Sequence, residues 1–345
     1  MKAQTYSSFK YLFKLCKNSF RKIIPICVLL QLFPHPNKSS AENIKWLATI
    51  SRSSAESENT SIREKVYNFI FGEDIVTLNR PVTMCLFKEN LIGVLDQGLQ
   101  ATLFVNVKNV EIKKINKNEH KNFPSLVAIC SGPGNRLYFT DSALERIFSI
   151  EPEREQIRTF AEEITFYKPT GIAYNPIQNF FYVSETGMHR ILVLDESGRI
   201  IKTIGERGNG SGQFNFPTHL WIDADGRLYI VDSMNFRIQI FSAEGDFLSM
   251  FGEAGSSSGY LARPKSIATD SDGHIYVVDG LFHAVQIFDW NGQFLFHFGK
   301  QGRGDSEFWM PSGIFIDSED KIFVADSYNS RIQIFQYSSG KVNGE

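Results

Sequence analysis

Cysteine is scarce in this chain, at four in 345 residues, and two of the four, Cys16 and Cys27, lie in an N-terminal segment with the marks of a removable leader. The other two, Cys85 and Cys130, are too few for a disulfide framework, and with no C-x-x-C-H sequence the chain attaches no haem covalently. A bilayer-spanning helix needs roughly 20 apolar residues, whereas the apolar run at 23–33, IIPICVLLQLF, has eleven. The Gly-rich segments lack the Lys-Ser/Thr ending of a phosphate-cradling loop. Acidic residues are missing altogether from residues 1–41, which hold Lys2, Lys10, Lys14, Lys17, Arg21, Lys22 and Lys38.

A basic start, a short apolar centre and the small residues Ser39-Ser40-Ala41 together read as a secretory signal over residues 1–41. Export to the periplasm or the medium follows, with an uncleaved N-terminal membrane anchor as the alternative. The remaining chain has 29 basic and 38 acidic residues, a net charge of −9. Nucleic acids and anionic membranes demand Lys and Arg clusters, so neither is expected as a partner.

Phenylalanine is abundant, at 30 residues, beside 12 tyrosines. Aromatic residues favour strands, and the stretch FPTHLWIDADGRLYIVDSMNFRIQIF, Phe216 to Phe241, shows how they are used. A proline opens an apolar run, Asp225-Gly226 turns, a second run ends in Asp232, and Arg237 begins a third. The sentence recurs behind Pro81, Pro124, Pro169, Pro217, Pro264 and Pro311, at intervals of 43, 45, 48, 47 and 47 residues. In the unit after Pro217 the spacing predicts strands over 219–223, 227–231, 237–241 and 247–251, with a hairpin turn at Asp225-Gly226.

Four antiparallel strands cannot bury two faces alone, so the units must stack, and radial stacking gives a β-propeller. The expected fold is all-β, with six four-stranded blades. The sixth unit runs out after three strands, and the segment at 43–50, NIKWLATI, resembles the outer strands IIKTIG, DFLSMFG and QFLFHFG. It is expected to close the ring as the outermost strand of blade six. The layout is then a closing strand, a polar linker and a short helix near 62–71 within residues 42–79, six repeats over 80–337, and a tail at 338–345. Ser61 and Glu64 would form the capping box of that helix, with Ile62, Val66, Phe69 and Ile70 on one face against the propeller rim.

The endings LYIVDSMNFRIQIF and IFVADSYNSRIQIF, together with the leading proline and the Asp-Gly turn, resemble NHL repeats. The likeness covers residues 81–337 and is degenerate in the first two units. It is similar to the layout of exported bacterial six-bladed NHL propellers. The resemblance implies several unrelated roles: binding RNA or protein, or, in six-bladed relatives, metal-dependent lyase or lactonase activity. Fold alone does not choose among them.

The acids ending the second strands are Asp96, Asp141, Glu185, Asp232, Asp279 and Asp326; Arg146, Arg190, Arg237 and Arg331 follow five residues after four of them. An acid so placed can accept backbone N–H bonds and pair with the guanidinium. Recurrence in almost every unit marks these residues as structural, since a catalytic site is needed once.

His219, two residues past its proline, is the candidate metal ligand of the channel. A zinc site normally takes three protein ligands, and His189 and His283 lie elsewhere in the repeat, so a hydrogen-bonded core residue is the competing reading. Gly255 to Gly259, G-S-S-S-G, matches a nucleophile elbow only in letters. Arg303-Gly304-Asp305 sits in an exposed loop, and Cys85 and Cys130 are expected as buried free thiols. The expectation is a monomeric, non-catalytic scaffold without cofactor, binding a protein or peptide through its loops. The alternative is a hydrolase or lyase holding Ca or Zn in the channel.

Overall fold

A computed structural model describes residues 44–52, 76–115 and 123–338. The leader, the helix expected near 62–71 and the tail beyond 338 lie outside the described residues. Among the described residues no helix is long and apolar enough to cross a membrane.

Among the described residues twenty-four strands form six separate four-stranded antiparallel sheets, the blades of a six-bladed propeller. Blade one is Pro81–Lys88, Leu91–Asp96, Ala101–Asn106 and Glu111–Lys114, and blade two is Leu126–Gly132, Arg136–Asp141, Arg146–Glu151 and Gln156–Phe160. Blade three follows as Pro169–Asn175, Phe180–Glu185, Arg190–Asp195 and Ile200–Ile204, and blade four as Pro217–Ile222, Leu228–Asp232, Arg237–Phe241 and Phe247–Phe251. Blade five comprises Pro264–Thr269, Ile275–Asp279, Ala284–Phe288 and Phe294–Phe298.

Blade six takes Gly313–Ile316, Lys321–Asp326 and Arg331–Tyr337 from the C-terminal part of the chain and Ile44–Ile50 from the N-terminal part, paired antiparallel from Ile44↔Tyr337 to Ile50↔Ile332. The closing strand copies its counterparts even in their irregularity. Its register shifts between Trp46 and Ala48, leaving Leu47 as an extra residue. The outer strands of blades three, four and five shift at the same point of the pairing, around Ile201, Leu248 and Leu295.

Apolar residues from adjacent blades meet between them. The buried side chains fall into six clusters, each joining two neighbours, as Val231 and Ile238 of blade four join Ile267 and Val277 of blade five. The core is therefore a ring of six seams.

In blade four the inner strand begins at Pro217 rather than 219, and the second strand ends at Asp232 rather than 231. Pro217 pairs with Asp232, followed by a register shift before Leu220. An inner strand is an edge strand, so a residue without an N–H is tolerated there. The bulge that follows is what the alternation of apolar residues conceals.

Two residues past the proline, neighbouring inner strands approach closely at two of the seams. A Cβ on Gly171 would stand 2.1 Å from the Thr218 carbonyl oxygen of blade four, and one on Gly313 would stand 2.5 Å from that of Val82 in blade one. Only glycine admits the neighbouring backbone at those two seams.

Candidate ligand site at the axial cavity

The acids that end the second strands are buried, and every one accepts backbone N–H bonds from the connection entering its own blade. The loops that follow them take two forms. In blades three, four and six the loop is a single 3-10 turn (Thr186–Met188, Ser233–Asn235, Ser327–Asn329), and the carboxylate is met by Arg190 at 2.6 Å, Arg237 at 2.8 Å and Arg331 at 2.7 Å.

In blades one, two and five the carboxylate instead accepts N–H groups of its own loop, from Leu99, from Ala143 and Leu144, and from Leu281 and Phe282. Arg146 therefore does not pair with Asp141 as its spacing suggests. The Asp141 oxygens are occupied by the loop and by Ser125, and Arg146 donates to the carbonyls of Glu145 and Ile164.

Arg237 and Arg331 also tie down the Gly-rich connections. Arg237 donates to the carbonyls of Asn209, Gly210 and Gln213, and Arg331 to those of Arg303, Gly304 and Glu307. Three buried glutamines, Gln239, Gln286 and Gln333, accept an N–H and donate to a carbonyl of the same connections, with one geometry in blades four, five and six. Sequence reasoning passed over them; a polar residue at the centre of each RIQIF or AVQIF run was their signal. The Arg303-Gly304-Asp305 loop is exposed but held by Arg331 and Glu307. The segment Gly255 to Gly259 contains no helix, so it forms no elbow.

His219 lies at the seam position. Its Nδ1 accepts the Ile267 N–H at 3.4 Å, which leaves Nε2 carrying the proton toward Ser266 Oγ at 3.1 Å, and that oxygen accepts the Ile314 N–H at 3.2 Å. One side chain thus links blades four, five and six, and a metal on the ring would have to displace one of its two partners. Among the described residues no group of three His, Cys, Asp or Glu side chains is placed to hold a metal ion.

His189 and His283 are equivalent to each other. Each accepts through Nδ1 the N–H of the residue before the next proline, Phe216 at 3.1 Å and Met310 at 3.0 Å. Cys85 and Cys130 are free thiols; Cys130 is buried and Cys85 half-buried, and burial pushes the Cys85 thiol up to about 12.

Burial holds the His219 imidazole down at about 4, against 6.5 ordinarily. The folded chain therefore binds fewer protons there than the unfolded chain, and the stability this contributes is complete above pH 6.5 and lost as pH falls through 4. His274, raised chiefly by its hydrogen bond to Asp270, acts in the opposite sense and above 6.5, so the two windows are separate. In His219→Gln the urea midpoint should depend less steeply on pH between 6.5 and 4 than in the wild type. Parallel pH curves for the two proteins would refute the assignment.

The face that carries the loops between second and third strands opens into a cavity of about 770 Å³ on the propeller axis, to which all six blades contribute. Its wall is hydroxyl-rich because the repeat makes it so. The residue after the proline and the residue after the acid pair through their hydroxyls in four blades, Ser125 with Ser142, Thr170 with Thr186, Thr218 with Ser233 and Ser312 with Ser327, at 2.5–2.8 Å, and the last three pairs line the cavity. Blade one has Val82 and Gln97 there, and blade five has Lys265 and Gly280.

On the same face the loops between second and third strands expose large apolar side chains in five blades, Leu144, Met188, Met234, Leu281 and Tyr328, of which Met234 and Tyr328 line the cavity. Below it Trp221 packs against the cores joining blades six and one, five and six, and four and five, with its Nε1 donating to Thr269. Its indole therefore reaches across the axis beneath the cavity. Neither Lys265 nor Trp221 was singled out from the sequence, although each departs from what the other repeats carry at its position.

A family model described as "6-bladed beta-propeller" matches residues 177–251 and 260–345. Among solved structures, an auxiliary nutrient binding protein from Bacteroides ovatus is similar at 12% identity and a TM-score of 0.61, over 88% of this chain and 75% of that one. Another, from Bacteroides thetaiotaomicron, gives 15% and 0.60 over 76% and 70%. The virginiamycin B lyase from Staphylococcus aureus gives 15% and 0.53 over 75% of this chain and 95% of its own. A scaffold shared between proteins described as binders and as lyases establishes architecture, and on that level the chain is a six-bladed β-propeller of four-stranded antiparallel blades.

Proposed function

We propose that this protein is an exported, non-catalytic NHL-type propeller that binds a protein or peptide partner on the face around the axial cavity. The observation that carries the reading is the ring of exposed apolar tips at Leu144, Met188, Met234, Leu281 and Tyr328. Apolar groups clustered about a depression on a rigid frame are the usual composition of a binding face. Two of the similar propellers are described as auxiliary nutrient binding proteins, which accords with a binding role.

The alternative, a metal-dependent hydrolase or lyase acting in the channel, draws on the lyase neighbours and on His219 lining the cavity. The hydrogen bonds on both ring nitrogens of His219 favour a structural role for it.

The test is retention of a partner from the exported fraction by the tagged wild type, by Met234→Ser/Tyr328→Ser, and by Trp290→Ser. Trp290 is exposed in a turn between third and outer strands, on the opposite face. A partner kept by the wild type and the Trp290 variant but lost by the double variant is the expected result. Equal retention by all three would sink the proposed face. Divalent-cation-dependent turnover of a lactone, ester or amide, abolished in His219→Ala, would replace the scaffold reading by the enzyme.

A further inference from the structure

The cavity wall contains three cationic side chains, Arg80, Arg263 and Lys265, and no carboxylate. This is unexpected in a chain with 38 acids, where Arg190, Arg199, Arg227, Arg237 and Arg331 are each paired with one. Among the described residues none of the three has an ion pair or a side-chain hydrogen bond. Lys265 is half-buried, and its ammonium is held below the usual range by desolvation and by the Arg263 charge. A cation without a counter-ion, beside another cation and partly out of water, is a site of uncompensated positive potential.

The repeat itself shows that this is a departure. Where four blades place a pair of hydroxyls, blade five places Lys265 opposite Gly280. A Cβ on Gly280 would stand 3.5 Å from Lys265 Cγ, so the missing side chain leaves space along the lysine stem. The paired hydroxyls also bond across seams, as Thr186 does to the Pro217 carbonyl and Ser327 to that of Pro81. Blade five gives up such a bond and gains a charge at the mouth.

Apolar surface adjoins that charge. Phe216, Met234, Phe236, Met310 and Tyr328 line the same cavity. A cation flanked by aromatic and thioether surface from the two neighbouring blades suits a ligand with an anionic head and an apolar body. We propose that the axial cavity is an anion-binding site, in which Lys265 and Arg263 hold the anionic head of a small ligand or partner group whose apolar body lies against Phe216, Phe236 and Tyr328. The proposal rests on the cavity face being the binding face and names the chemistry of what enters it.

Three phenyl-bearing probes separate the possibilities: 3-phenylpropionate, its neutral isostere 3-phenylpropanamide, and phenyl phosphate, each titrated into the full chain with saturation-transfer NMR as readout. The expected result is transfer to one or both anions and not to the amide. It should weaken by about tenfold in Lys265→Gln and persist in Lys265→Arg, with the thermal midpoint unchanged in both variants. Transfer to the carboxylate alone or the phosphate alone identifies the head group. Equal transfer to all three would keep the cavity as a binding site and overturn its charge preference. Transfer to none would overturn the anion site while leaving the partner-retention experiment to judge the apolar face by itself. Anion binding that survives Lys265→Gln at full strength would also overturn it.

Discussion

Asp232→Ala is expected to cost about 3–5 kcal/mol of folding stability, because it leaves a buried guanidinium without its counter-charge. Arg237 is 7% exposed and Asp232 fully buried. The carboxylate accepts the Asn215 N–H through one oxygen, and Asn235, Arg237 and Gln239 through the other. Asp279→Ala is the matched comparison, since Ala284 stands where the arginine would be and only backbone N–H groups lose their acceptor. It should cost roughly 1–3 kcal/mol. Urea denaturation of both variants gives the ordering; a smaller loss in Asp232→Ala than in Asp279→Ala would overturn the account of the arginine.

Removing the closing strand is the second large effect. A chain beginning at Ser53, compared with one beginning at Asn43, loses buried Ile50 from the core joining blades six and one, together with the ladder from Ile44 to Ile50. Apolar burial and ladder hydrogen bonds together put the expected cost at about 3–6 kcal/mol. The third strand of blade six, Arg331–Tyr337, would then be an open edge, and open edges recruit strands from other molecules. The shortened chain should therefore associate at concentrations where the longer one does not, and a peptide of residues 43–52 added in trans should reverse this. Light scattering with and without the peptide decides it. A shortened chain as stable and as monomeric as the longer one would show that the pairing contributes nothing.

Much of this architecture could be read from spacing alone. Prolines at 43–48 residue intervals predict six blades, and the missing strand after Tyr337 points to the segment around Trp46 as its substitute. Period and pattern determine strand number because they are local. The contents of the site are not local. The partners of His219 lie 47 and 48 residues away in the next blade, so whether its nitrogens are free is invisible along the chain.

Arg146 shows the same limit at short range. Its five-residue spacing from Asp141 equals that of Arg237 from Asp232, yet the loop between takes another form and the pair does not form. Lys265 and Trp221 were open to notice as deviations from their repeat equivalents. Their meaning depends on the cavity that only the closed ring creates.

The position of Trp221 across the axis has a kinetic corollary. A channel open at both ends lets one molecule enter while another leaves, whereas one narrowed by an indole at its far end favours a single doorway. An occupant would then leave chiefly by the path it took in, past Arg263 and Lys265. A partner seated on Met234, Leu281 and Tyr328 would cover that doorway. Loading would then precede docking, release would wait for undocking, and the dissociation rate of the small occupant would fall as the concentration of the large one rose.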